Sequence, residues 1–167
     1  MTGICRPRRA VVLGLAAAGL SACGRNYAAL PPADHVMLLK AERRLLLFQQ
    51  QKPVREFRVG LGFAPQGQKQ QEGDGRTPEG RYFVDRKNPK SSYHLSVGIN
   101  YPTPEQLARA QAMGVEPGGD IFFHGQPNNG YRPEKQDWTA GCIAVANAEI
   151  EEIYSRVPLG TPVTILA

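Results

Sequence analysis

Ile121-Phe122-Phe123-His124-Gly125 and, after a polar interval, Trp138-Thr139-Ala140-Gly141-Cys142-Ile143-Ala144-Val145 decide how this chain is read. In the first stretch a short apolar run ends in a histidine and is cut by glycine, the pattern of a strand that stops where a loop begins. In the second, a glycine precedes a cysteine that opens a new apolar run. An imidazole and a thiol thus stand at two strand ends, joined by about 17 residues. A connection that long in a small domain is uncommon and usually carries function.

A thiol becomes a useful nucleophile when a neighbouring imidazole takes its proton. The chemistry such a pair supports is acyl transfer, with Cys142 as the expected nucleophile and His124 as proton acceptor and donor. Gly141 permits close approach of a substrate, and backbone amides around Gly141–Cys142, with Thr139 beside them, are the expected oxyanion and backbone support. The alternative is a small buried hydrophobe without chemistry. Metal binding is not expected, because His35, His94, His124 and Cys142 show no paired ligand spacing. No cofactor motif is present either. Gly73-x-Gly75 lacks the Lys-Ser/Thr and the helix that a phosphate loop needs.

Outward from these two stretches the chain reads as strands. His35–Leu39 and Leu45–Gln49 flank a charged turn and predict a hairpin, continued by Val54–Leu61. Arg81–Asp85 follows a Gly/Pro turn, and residues 93–101 alternate in the manner of a half-buried strand. Asp120–His124, Cys142–Val145 and Val163–Leu166 bring the number to about eight. Two helices are expected. The first has Thr103 as N-cap, Pro104 at its first position and Gln106 three residues after the cap. The second follows Asn147 as N-cap and buries Ile150, Ile153, Tyr154 and Val157. The fold class is therefore β-rich, mainly β with two helices, over residues 34–167. The 18 glycines and 14 prolines in 167 residues suit a turn-rich β domain better than a helical bundle.

The formal charge of +5 suggests nucleic acid at first sight. Arg6, Arg8 and Arg9 lie within residues 1–22, which hold no acid, so the rest of the chain is nearly balanced with 17 basic and 15 acidic residues. No clustered basic face with aromatics appears, and nucleic acid is not expected as a partner. Those three arginines precede an apolar run, Ala10–Leu20, too short to span a bilayer and right for a signal peptide. The alternative is an N-terminal helix packed on the domain. Leu20-Ser21-Ala22-Cys23 resembles a bacterial lipobox, which implies a lipoprotein-type signal at 1–22, a lipidated Cys23 and a linker at 23–33. The protein would then face the periplasm as a membrane-tethered domain, with the outer membrane favoured in a Gram-negative cell. With Cys5 removed and Cys23 lipidated, Cys142 is left unpaired, which is unusual in an oxidising compartment.

His124-Gly125, a 13-residue spacer and Thr139-Ala140-Gly141-Cys142-Ile143, with Thr77-Pro78-Glu79-Gly80 upstream, resemble the signature of the L,D-transpeptidase (YkuD-like) catalytic domain family. Ala140 stands where that family commonly has His, and Ala144 where it has Arg or Asn. The resemblance implies an L,D-transpeptidase-like β-sandwich or barrel and a cysteine-dependent acyltransferase acting on peptidoglycan stem peptides. It also implies a backbone carbonyl, rather than an Asp, as the partner of His124. A hydrolase of the same fold, or a wall-binding lipoprotein without turnover, are the other functions weighed. Substrate contacts are expected from His94, Gly125, Tyr131, Arg132 and Trp138, while Asp74 and Arg76 are expected to shape the glycine-rich turn. A monomer is expected.

Overall fold

Alternation builds the first hairpin. β1 (His35–Leu39) buries Val36 and Leu38, and antiparallel β2 (Arg44–Gln49) buries Leu45 and Leu47 against them. This computed structural model describes residues 26–167; the expected signal at 1–22 and Cys23 lie outside the described residues. β3 (Lys52–Arg58) pairs with β2 at the sheet edge, with Phe57 as its buried residue. β8 (Pro162–Leu166) lies parallel to β1, and β4 (Gly80–Asn88) pairs antiparallel with β8. β5 (Ser96–Ile99), β6 (Phe122–His124) and β7 (Ile143–Ala144) complete one curled sheet of order β3-β2-β1-β8-β4-β5-β6-β7. The core inside the curl includes Leu38, Phe57, Tyr82, Val97, Phe123 and Ile143.

The sheet is drawn round by the chain beyond β3. Sequence alternation ran that strand to Leu61, but β3 ends at Arg58, and Gly60 and Gly62 cross to bridge Ala144 and Thr139 near β7. The crossing needs glycine: a Cβ on Gly62 would sit 2.1 Å from the Gly75 carbonyl oxygen. Residues 93–101 differ as well. Only Ser96–Ile99 form a strand, and all four are buried, because β5 lies between β4 and β6 with helix α2 also packed against it. Tyr93–Leu95 turn instead, with His94 in the left-handed region at φ 68°.

α1 (Pro104–Ala112) has the expected capping box: Thr103 Oγ1 accepts from Gln106 N–H, and Gln106 Oε1 accepts from Thr103 N–H. α2 (Asn147–Arg156) begins one residue earlier than its sequence suggests, with Ala146 as N-cap. Asn147 is drawn into the first turn because its Oδ1 accepts from the Gln126 amide at 2.8 Å, tying α2 to the loop after β6. At the other end of α2, Arg156 donates to the Pro31 carbonyl, and Ala33 N–H donates to the Arg156 carbonyl. Residues 31–33, expected to be linker, are therefore docked, and Ala33 is buried.

Candidate active site

β5, β6 and the turn before β7 bring His124 and Cys142 to one cavity of about 580 Å³. β6 and β7 run parallel with His124 opposite Ala144, so the ends of two neighbouring strands present both groups on the same side of the sheet. The cavity wall also takes in Tyr93, Ser96, Asp120, Phe122, Trp138 and Thr139.

The imidazole is fixed from three sides. His124 Nδ1 lies 2.8 Å from the Gly125 carbonyl oxygen, which only a protonated Nδ1 can satisfy. The neutral ring therefore carries its lone pair on Nε2. Tyr93 lies across the ring at a centroid distance of 4.6 Å, and Trp138 meets it edge-on at 5.6 Å. The side chain is almost wholly buried. Burial pulls its pKa down, and the Gly125 carbonyl acts in the opposite direction without restoring the ordinary value.

Cys142 is held more loosely. It is half-buried, and its thiol donates to the Asp120 carbonyl at 3.3 Å. Burial pushes the thiol up, the Phe122 amide pulls it down, the Asp120 charge raises it, and Lys69 and Arg86 lower it. The net direction is upward. Both directions favour a thiol and a neutral imidazole over a thiolate–imidazolium pair at this site.

The turn carrying the thiol is rigid. Thr139 Oγ1 accepts from Gly141 N–H at 3.1 Å and donates to the Cys142 carbonyl at 2.6 Å. Gly141 has φ 139°, and a Cβ there would stand 2.8 Å from the Arg76 carbonyl oxygen. Of the two amides expected as oxyanion donors, that of Gly141 is already engaged by Thr139. The Cys142 amide is left for that role.

The other expected contacts divide. Trp138 lines this cavity and a neighbouring one of about 610 Å³, which it shares with Tyr93, Ser92, Asn128 and Tyr131. Tyr131 belongs to that second cavity and Arg132 lines neither. Gly125 acts through its carbonyl on His124. His94 stays out of both cavities: its Nε2 pairs with Glu151 Oε1 at 2.7 Å, since the left-handed turn directs the ring toward α2. Asp74 does shape the glycine-rich turn, accepting from the amides of Gln70, Gln71 and Arg76. Sequence reasoning missed Tyr93 and Asp120 as site residues. The only local signals were a tyrosine after Ser91-Ser92 and an aspartate after Gly118-Gly119.

The chain thus builds a curled β sheet with a histidine at the end of one strand and a cysteine in the turn just before its parallel neighbour. The sequence profile of the L,D-transpeptidase catalytic domain (YkuD) matches residues 33–165, and the chain belongs to that family. YafK of Escherichia coli strain K12, provisionally named an L,D-transpeptidase, is 29% identical over 129 residues, covering 74% of this chain and 46% of YafK. Among solved structures, the helical cell shape determining protein Pgp2 of Campylobacter jejuni superposes with a TM-score of 0.62 at 27% identity, covering 81% of this chain and 48% of Pgp2. An L,D-transpeptidase of Mycobacterium smegmatis shares the fold, with a TM-score of 0.54 at 14% identity, over 81% of this chain and 59% of that one. The chain spans about half the length of YafK and Pgp2.

Proposed function

We propose that this chain is a peptidoglycan L,D-transpeptidase with Cys142 as nucleophile and His124 as its proton shuttle. The observation that carries this reading is the shared cavity in which the Nε2 lone pair of a fixed, neutral imidazole accompanies a half-buried thiol. Cys142 Sγ attacks the carbonyl between an L-centred diamino acid and the terminal D-Ala of a stem peptide, and His124 Nε2 takes the thiol proton. The tetrahedral oxyanion is met by the Cys142 amide. As the C–N bond breaks, Nε2 returns its proton to the departing D-Ala amine, leaving a thioester. An acceptor amine then attacks the thioester, His124 removes its proton, and the thiolate leaves and is reprotonated.

The neighbouring cavity under Tyr131 supports an amine acceptor, because it adjoins the first through Tyr93 and Trp138. Export and lipidation at Cys23 belong to the same reading, since stem peptides lie outside the cytoplasm. Mass spectrometry of protein made in a bacterium that processes lipoproteins tests that part: a diacylglyceryl group at residue 23 is expected, and its absence removes the anchor. Incubation with disaccharide-tetrapeptide tests the chemistry. An adduct on Cys142 equal to the stem minus D-Ala is expected in a rapid acid quench before an amine acceptor is added, and product formed at the wild-type rate by Cys142→Ala overturns the covalent route.

A further inference from the structure

Among the residues that line the cavity around Cys142, Asp120 is the one with a permanent charge. Its neighbours there are serines, an asparagine and aromatic rings. The carboxylate is 89% exposed, and its backbone sits at φ 54°, a conformation aspartate tolerates better than most residues. The same residue's carbonyl accepts the Cys142 thiol at 3.3 Å. One residue thus contacts the sulfur with its main chain and presents an anion at the cavity rim with its side chain.

That anion is only partly answered. Arg86 reaches Asp120 Oδ1 through Nη2 at 3.1 Å, while its Nη1 holds both oxygens of Asp85 at 2.8 and 2.7 Å. A single guanidinium shared by two carboxylates leaves the cluster with one net negative charge. Arg86 is also stacked over the Phe122 ring at 4.5 Å, which keeps it behind the rim rather than across it. Lys69, the nearby buried cation, is committed to Asp74 at 2.9 Å. An exposed ion pair of this kind adds little to stability, so its position beside the thiol matters more than its contribution to the fold.

We propose that the Asp120 carboxylate is a specificity-determining group that holds a free ammonium group of the substrate beside the carbonyl attacked by Cys142. This rests on the reading of Cys142 as nucleophile. In a stem peptide the matching group is the side-chain amine of the diamino acid whose carbonyl is attacked. It lies on the residue that must enter the cavity, on the acyl side of the scissile bond. An exposed ammonium–carboxylate contact of this type is worth at most about fivefold in affinity, or about 1 kcal/mol.

The test is binding to the Cys142→Ala protein of two stem tetrapeptides, one with its third-position side-chain amine free and one acetylated there. The free-amine peptide is expected to bind about threefold to fivefold more tightly, with the ratio shrinking as salt is raised. Adding Asp120→Asn, which keeps the shape and tolerates the same backbone, is expected to bring the ratio near one. Adding Arg86→Gln removes the competing cation and is expected to raise it. A purely structural ion pair would lower the ratio, or leave it unmoved, in both variants, and either result overturns the proposal. Acylation of the wild-type protein by the same two peptides, followed by mass, separates the two readings. If the binding ratio behaves as expected but Cys142 is never acylated, the nucleophile reading fails and the ammonium site stands. If both peptides acylate Cys142 and the binding ratio is one, the ammonium site falls and the nucleophile reading stands.

Discussion

Residues 67–80, whose Arg76 carbonyl packs against Gly141, and residues 126–137, which lead into Trp138, are built differently. Residues 67–80 are tied at nearly every step. Gln68 and Glu79 exchange side chain–backbone hydrogen bonds, Asp74 caps three amides, and Thr77 Oγ1 accepts from Gly62 N–H. Lys40, fully buried, donates to the carbonyls of Gly67 and Thr77 and to Glu79. Residues 126–137 are tied only near their ends. Asn128 is held by Ser91, Ser92 and His94, Gln136 reaches the Val59 carbonyl, and Asp137 pairs with Arg43 and accepts from Leu61 N–H. Between them, the side-chain bonds of Asn129 and Arg132 reach no farther than Tyr131. A nucleophile needs a fixed wall to define its attack angle, whereas an entering second substrate needs a wall that yields. On the proposed reading of Cys142 as nucleophile, the difference in bonding matches that division of labour.

The largest expected effects fall on the two groups beside the fixed wall. Cys142→Ala removes the sulfur and should abolish the acyl-enzyme while the folded signal in circular dichroism persists. His124→Ala should slow acylation by roughly 10²–10⁴-fold, the range for a positioned proton acceptor. Acylation at the wild-type rate in either variant would remove the chemical half of the comparison.

The fixed wall itself is tested next. Gly141→Ala imposes a side chain at φ 139° against the Arg76 carbonyl, and should cost about 2–3 kcal/mol in urea unfolding. Asp74→Ala removes the acceptor of three amides, two of them at exposed bonds, and the ion-pair partner of Lys69, which keeps the Gln71 carbonyl, and should cost less, about 1 kcal/mol. Burial alone would raise the Asp74 carboxyl; those amides and Lys69 outweigh it and hold its pKa below the ordinary value. Its contribution is thus present above the unfolded carboxylate pKa and is lost as pH falls through the folded one. A cost below about 0.5 kcal/mol for both variants would mean that residues 67–80 brace nothing.

The pH dependence of the pair is smaller and sharper. Burial lowers His124, so the unfolded chain binds its proton more readily than the fold does. The neutral-ring contribution is complete above the unfolded value of about 6.5 and is lost as pH falls below it, with a slope of at most about 1.4 kcal/mol per pH unit. Urea unfolding at pH 7.5 and 5.5 should show that slope in the wild type and lose it in His124→Gln. Burial raises Cys142. Alkylation by iodoacetamide should therefore climb about tenfold per pH unit from neutrality without levelling before pH 9. A plateau near pH 7 would signal a standing thiolate–imidazolium pair and a different resting state.

What could be read from the residues alone follows the range of the interactions. His124 and Cys142, which the structure brings to one cavity, are legible as candidates because each sits in a short apolar run beside a glycine, and the capping box of α1 is likewise local. Asn147 was misplaced by one position because its amide oxygen serves Gln126, 21 residues away. The alternation across 93–101 promised a half-buried strand, but burial there is decided by β4, β6 and α2, which no window of nine residues contains. Tyr93 and Asp120 became part of the site through the same long-range pairing. His94 was turned away from the cavity by a backbone conformation that histidine adopts only occasionally.

The smallest effect on the fold is expected from the yielding segment, and it is the one that bears most on function. Replacing Asn129–Lys135 with a Gly/Ser linker removes Tyr131 and Arg132 but spares Asn128, Gln136 and Asp137, which carry the anchoring bonds. Surface changes of this kind shift stability by about 0.5 kcal/mol or less, so the unfolding midpoint should barely move. The proposed acyl-enzyme depends on the fixed wall alone and should still appear by mass. Its fate should change. Water and amine compete for the thioester, and the amine wins only if it is held over the carbonyl and water is partly excluded. With the rim of the second cavity gone, products should move from cross-linked dimers toward free tripeptide. An unchanged dimer-to-tripeptide ratio would remove the segment from acceptor binding. Free tripeptide as the sole product of the wild type, with amine in excess, would make water the natural acceptor and the protein a hydrolase. The yielding wall would then serve product release.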